Sequence, residues 1–424
     1  MPFRFVHTAD LHLDSPLSSL ALKNPDLSEL VRGATRAALA AIVDLCLAER
    51  VDALLIAGDL YDGAQTSMNT ALYLAAELRR LEAGNVRVFI IRGNHDSAST
   101  IKRELSLPDN VYLFSGKVRP MLAGALGNGR PVYVHGVGFD NPHAPESLLP
   151  GFHPPMADAI NIGMLHTSLA GAPGHDAYAP CTLGELIAHG FDYWALGHVH
   201  QRQVHSEKPL IVMPGMPQGR DINEAGAKSV TLVSIGEDGA LAHEARVIGT
   251  AAFERIAVDL SAVESWSGAL QAIGRALDAG RRLHGAGQII ARLVLTGATP
   301  LAARLRRDPE LILAEAANLA ASRAGLWIEA IDVACVPPAA ASINAADPVD
   351  ELGRLLREDV LTAPGFRREV EVLFEEFLGQ LPRELRERFV RDEEAAAVLT
   401  AMLAQEGAED VLAALSGTRA GEPA

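Results

Sequence analysis

The sequence predicts an α/β protein followed by a small α+β domain and a helical C-terminal segment, and three observations carry that expectation. Over residues 1–250, short β-branched runs alternate with loops and helical stretches, the pattern of strands interleaved with helices. Over 251–337 the pattern tightens to β-α-β-α-β. From 338 onward only helical periodicity remains.

The elements follow in order. The strand runs of the first segment are FRFVHTAD, VDALLIAGD, VRVFIIRGN, PVYVHGVGF, AINIGMLHT, FDYWALGHV, LIVMPG and SVTLVSI, with helices expected at 33–49 and 68–83. In the second segment FERIAVDL, QIIARLVLT and LWIEAIDVACV are strands separated by helices at 263–282 and 308–324. The stretch PPAAASINAADP, 337–348, lacks periodicity and is rich in proline and alanine, so it is expected to be a linker. Asp347 is expected to cap the next helix, with Pro348 at its first position. Within 366–378, Phe366, Val370, Leu373, Phe374 and Phe377 fall on one helical face. The closing GTRAGEPA is expected to be disordered.

Composition narrows the function. The chain has 424 residues, 49% of them hydrophobic, enough for two or three domains with substantial cores. No stretch approaches eighteen uninterrupted apolar residues and MPFRFVHTAD is no leader, so neither membrane spanning nor export is expected. Cys46, Cys181 and Cys335 lie far apart in no metal-binding spacing, which suits a reducing cytoplasm. Basic and acidic residues number 19 and 26 in 1–250, 9 and 9 in 251–337, and 9 and 18 beyond. A chain this acidic has little basic surface for nonspecific polyanion binding.

The chemistry lies where strands end. VFIIRGNHD delivers Asn94, His95 and Asp96 after an apolar run, and four other strands finish alike. They bring Asp10 and His12, Asp59 and Asp62, His166, and His198 with His200. In open α/β sheets the carboxyl ends of strands are where loops converge on ligands. Asp, Asn and His without cysteine suit a divalent ion such as Mn²⁺, Fe²⁺ or Zn²⁺. Asp10-Leu11-His12 and His198-Val199-His200, read as extended backbone, each point both donors the same way. Gly58 lets the chain turn before Asp59, whose two oxygens could then bridge two ions.

The ordered blocks DxH, GDxxD, GNHD, an isolated His and GHxH, spanning about the first 200 residues, resemble the calcineurin-like metallophosphoesterase superfamily. That resemblance implies a four-layer α/β sandwich and two divalent ions, with Mn²⁺ favoured. It places Asp10, His12, Asp59 and His200 on one ion and Asp59, Asn94, His166 and His198 on the other. His95 would be the general acid, with Asp96 bracing its loop or orienting it. Asp62 is left between a metal contact and a structural role, such as a hydrogen bond to His12 or the loop.

FVHTADLHLDSPL, GHDAYAPCTLGEL (174–186) and IVMPGMPQGRDINEAGAKSVTLV (211–233) are similar to the DNA-repair exonuclease branch, the SbcD/YhaO-like group. The resemblance implies DNA as substrate, a capping domain at 251–337, and C-terminal helices that dock on an SMC-like coiled-coil ATPase; a homodimer is compatible with it. Arg220 in PQGRD and Arg202 after GHVH are the candidate phosphate-binding residues, while Arg281, Arg282, Arg304, Arg306 and Arg307 are further basic positions in the small domain. Two other readings stay open: a small-molecule phosphodiesterase or nucleotide pyrophosphatase, and a non-catalytic scaffold for an ATPase.

Overall fold

The computed structural model describes residues 2–15, 25–62, 67–98, 107–138, 141, 143–169, 178–284, 287–338, 348–381, 386, 390 and 393–416. The expected cap at Asp347, nearly all of the 337–348 linker, residues 174–177 and the closing 417–424 lie outside them. Two compact units make up the chain: Met1–Glu254 with His284–Ile290, and Arg255–Leu283 with Ala291–Ala424.

The first unit runs β1 (Phe3–Thr8), α1 (Pro25–Ala48), β2 (Ala53–Ala57), α2 (Met68–Ala83), β3 (Arg87–Ile91), the short α3 (Asn94–Ala98), β4 (Val111–Leu113), β5 (Arg119–Ala125), β6 (Pro131–Gly136) and β7 (Ile160–His166). It continues through α4 (Leu183–His189), β8 (Tyr193–Gly197), β9 (Gln203–Glu207), β10 (Leu210–Met213), β11 (Ser229–Ile235) and β12 (Leu241–Val247). Two six-stranded sheets result, ordered β12-β11-β1-β2-β3-β4 and β5-β6-β7-β8-β10-β9. Within them β1, β2, β3 and β4 are mutually parallel, as are β6, β7, β8 and β10.

Strand pleating sorts the core into layers. Phe5, Leu55, Phe89 and Ile91 from the first sheet pack against Val134, Ile162, Met164 and Tyr193 from the second. The opposite face of the first sheet, Val6, Leu54, Ile56, Val88 and Ile90, packs on Leu39, Ile42 and Val43 of α1 and Leu74 and Leu78 of α2. Leu165, Trp194, Leu196 and Ile211 of the second sheet cover Leu186 of α4. Helix, sheet, sheet and helix make the four-layer sandwich that the sequence implies. Strands buried on both faces read as continuous apolar runs, so the central ones were legible.

The second unit is built on β13 (Ala251–Asp259), α5 (Trp266–His284), β14 (Gln288–Thr296), α6 (Ala302–Arg307), α7 (Pro309–Ala321) and β15 (Leu326–Val333), with sheet order β13-β14-β15. The helix expected at 308–324 is α7, and α6, just before it, is a second helix that the sequence does not mark. Pro309 starts α7 and disfavours helical backbone at Asp308, where ψ is 51°. Then come α8 (Pro348–Leu355), a π-helical turn at Leu356–Val360, α9 (Pro364–Gln380) and α10 (Glu393–Ser416). Helix α10 packs against α6, α8 and α9. The single apolar face expected on 366–378 divides: Phe374 is buried, whereas Leu373 and Phe377 are 64% and 50% exposed. Among the described residues no helix is long and apolar enough to cross a membrane.

Candidate metal centre

Each donor stands at or just beyond the carboxyl end of a parallel strand: Asp10 and His12 after β1, Asp59 after β2, Asn94 and His95 after β3, His166 closing β7, and His198 and His200 after β8. The backbone there is not extended as the sequence suggested. Asp10, His12, Asp59 and His198 have φ of 54°, 42°, 52° and 107°, a region disfavoured for residues with a Cβ and found where function demands it. Hydrogen bonds across the two loops hold it: Asp10 N donates to Gly58 O at 3.0 Å and His12 N to Asp59 O at 3.1 Å. The strand pleat therefore does not aim these donors; paired turns do.

Gly58, at φ 97°, lets Asp59 turn in, and a Cβ on it would stand 2.3 Å from His166 Nδ1. Gly58→Ala removes no donor, yet it should displace His166 and weaken metal binding there by about 10–100-fold, the usual cost of disturbing a ligand's support. Equilibrium dialysis against Mn²⁺ reads this, and unchanged affinity would show that His166 is not held by this contact.

Donors from both sheets meet. His12 Nε2 lies 3.2 Å from His200 Nε2, and His166 Nε2 lies 3.0 Å from Asn94 Oδ1 and 3.4 Å from Asp59 Oδ2. Two donors on one ion, each at about 2.1 Å, are separated by about 3.0–3.4 Å, so these spacings fit. Asp59 Oδ2 also faces His12 Nε2 at 3.8 Å, while Oδ1 accepts from His95 N at 3.0 Å. Oδ2 thus faces both groups of donors, while Oδ1 is engaged by the loop. His198 completes the cluster, its ring 5.2 Å from that of His166 and stacked on Tyr178 at 5.6 Å. Three donor groups fall within 4.8 Å among the described residues: Asp10, His12 and His200; Asp10, Asp59 and His166; His12, Asp62 and His95. Asp10 therefore reaches both expected positions.

Electrostatics call for positive charge here. His166 Nδ1 donates to Ala57 O at 2.9 Å, so its Nε2 lone pair would confront two oxygens. Burial alone would lower its pKa, but the Asp59 carboxylate pushes it up to about 9. Burial favours a neutral Asp59, yet His166 and His12 hold it well below the usual carboxylate range. Burial pushes Asp10 up to about 6. His12, fully buried, is held well below its usual value by that burial and by Arg220. Divalent ions would supply the missing charge, and the donor set fits them.

The remaining candidates separate. Both Asp96 oxygens accept loop N–H groups, from Tyr61 and Gly93 at 3.1 Å each, so Asp96 braces the turn, and burial pushes it up to about 7. Orientation of His95 comes from Asp62, whose Oδ1 lies 3.0 Å from His95 Nδ1 and raises its pKa. The expected link of Asp62 to His12 is long, 4.0 Å. Arg220 reaches the site: Nη1 lies 3.6 Å from Asp62 Oδ2 and donates to Ser15 Oγ at 3.3 Å. Arg202 instead donates to Thr231 Oγ1 on β11. Glu224, absent from the residues the sequence singles out, accepts from His200 Nδ1 at 2.8 Å and clamps Arg220. Its only signal was an acidic residue four positions after an arginine already suspected.

Fold and donors together define a metal-dependent phosphoesterase, a hydrolase. The chain belongs to the calcineurin-like metallophosphoesterase family: residues 3–202 match the model of the calcineurin-like phosphoesterases, and residues 253–336 match that of the metallophosphoesterase YhaO middle domain. The uncharacterized metallophosphoesterase YhaO of Bacillus subtilis (strain 168) is 33% identical over 299 residues, 70% of this chain and 72% of that one. The DNA double-strand break repair protein Mre11 of Saccharolobus solfataricus is 25% identical over 224 residues, covering 50% of this chain and 54% of its own. Among solved structures, a dimetal phosphatase from Danio rerio matches 58% of this chain and 97% of its own at 14% identity, with a TM-score of 0.37.

Proposed function

We propose that the protein is a Mn²⁺-dependent phosphodiesterase that cuts DNA as the nuclease subunit of a cytoplasmic repair complex. One observation carries the dimetal part: Asp59 Oδ2 stands 3.8 Å from His12 Nε2 and 3.4 Å from His166 Nε2, between two groups of donors. The two ions would activate a water and draw charge from the phosphate during an in-line displacement. His95, whose pKa the Asp62 hydrogen bond raises, would give its proton to the departing oxygen. Arg220 presents a guanidinium to a phosphate oxygen. DNA as substrate is supported by likeness to a DNA double-strand break repair protein, and a reducing compartment by three free, buried cysteines.

The acidic balance of residues 1–250, 26 against 19, favours a small-molecule diester instead, so the assay sets the two readings side by side. Purified protein with Mn²⁺ is offered single- and double-stranded DNA ends, bis-p-nitrophenyl phosphate and nucleotides. Cleavage of DNA ends supports the proposal; hydrolysis of nucleotides with intact DNA would replace it with the small-molecule reading.

An SMC-like coiled-coil ATPase as partner belongs to the same proposal, docking on the C-terminal helices. Its support is the exposed apolar set of Leu373 and Phe377 on α9 with Val398 and Met402 on α10, 65% and 48% exposed. Removing everything after 338 would strip α10 from α6, so point changes serve better. Leu373→Glu with Phe377→Glu should abolish co-purification with the ATPase and leave bis-p-nitrophenyl phosphate hydrolysis unchanged, exposed substitutions costing about 0.5 kcal/mol or less of stability. Undiminished co-purification would move the docking site elsewhere.

A further inference from the structure

Glu224 ends a short turn, Ile222–Glu224, and its largely buried carboxylate serves two groups of the site. Oε1 accepts from His200 Nδ1 and from Arg220 Nη2, each at 2.8 Å. Oε2 accepts from the Arg220 backbone N–H at 2.8 Å and from Nε at 3.3 Å. An ionised carboxylate only accepts, so His200 carries its ring proton on Nδ1 and turns the Nε2 lone pair toward His12 Nε2, 3.2 Å away. The same carboxylate fixes both the main chain and the guanidinium of Arg220, whose other end reaches Ser15 and Asp62.

We infer that Glu224 is a positioning residue that couples the His12/His200 metal position to Arg220, so that an ion and a guanidinium meet one phosphate as a preset pair. The inference rests on the phosphoester reading above. A glutamine could not do this. With one acceptor oxygen and an amide that donates, it opposes the His200 N–H and Arg220 Nη2 when the amide takes the place of Oε1, or the Arg220 backbone N–H and Nε when it takes the place of Oε2. Second partners of metal-bound histidines fix tautomer and orientation, and losing one costs about 10–100-fold in metal affinity.

The test uses the full chain, freed of metal with a chelator and titrated with Mn²⁺ by equilibrium dialysis. Glu224→Gln should weaken one of two Mn²⁺ positions by about 10–100-fold and spare the other. At saturating Mn²⁺ it should also raise KM for bis-p-nitrophenyl phosphate. Arg220→Met should raise that KM by about 10–100-fold, the usual loss of a charged hydrogen bond, with both Mn²⁺ affinities intact. The double variant should show no higher KM than Arg220→Met alone, because Glu224 acts on the substrate through Arg220. Unchanged Mn²⁺ affinity in Glu224→Gln, or KM effects that multiply in the double variant, would overturn the coupling. Should Glu224→Gln fail to fold, ¹⁵N NMR of the wild-type protein decides: a proton on His200 Nδ1 is required, and one on Nε2 alone overturns the inference. Wild-type protein that binds Mn²⁺ but hydrolyses no phosphoester would count against the proposed function, not against the His200 contact, which dialysis reads by itself.

Discussion

Asp59→Asn is expected to strip the protein of both ions and to lower its phosphodiesterase rate by on the order of 10³-fold or more, since metal catalysis contributes several kcal/mol. The substitution keeps the size of the side chain, and Oδ1 can go on accepting from His95 N. It replaces Oδ2 with an amide that donates, at the point facing both His12 Nε2 and His166 Nε2. Each ion loses an anionic donor, and His166 loses the charge that raises its pKa against burial. Elemental analysis after dialysis reads the outcome. Two ions per chain, tightly held, would show that Asp59 does not join the positions.

His95→Asn should do the opposite to metal: both ions stay while the rate on DNA falls by about 10²–10⁴-fold, the usual worth of one positioned acid. The contact of residue 95 with Asp59 runs through its backbone N–H, so the substitution leaves the bridging carboxylate supported. What is lost is the imidazolium held by Asp62 at 3.0 Å. An alkoxide leaves badly without a proton, whereas p-nitrophenolate does not need one. The loss should therefore be large on DNA and small on bis-p-nitrophenyl phosphate. A variant that slows both substrates equally, or that loses an ion, would make His95 a phosphate-binding group or a ligand.

The donor set was legible because buried parallel strands are uninterrupted apolar runs, so the residues where the run stops stand out: Asp10, Asp59, Asn94, His166 and His198 each follow or close one. The strands that escaped notice, β4, β5, β9 and β12, are all sheet edges. Their side chains alternate between exposed and half-buried, as in β12, and so carry little apolar signal. The aim of the donors was also hidden. The positive φ at Asp10 and His12 is imposed by hydrogen bonds to the loop after β2, a contact between segments nearly fifty residues apart. Glu224 and the Asp62–His95 pair were illegible for the same reason, since no local periodicity marks a residue whose importance lies in what folds against it.

Whether two ions share Asp59 can be read from anomalous diffraction by crystals grown with Mn²⁺. The expected map holds two peaks about 3.5–4 Å apart, the usual separation in two-metal sites. One should lie between His12 and His200, the other among Asn94, His166 and His198, with Asp59 Oδ2 between them. A single peak, or two peaks with Asp59 on only one of them, would show that Asp59 does not join two ions.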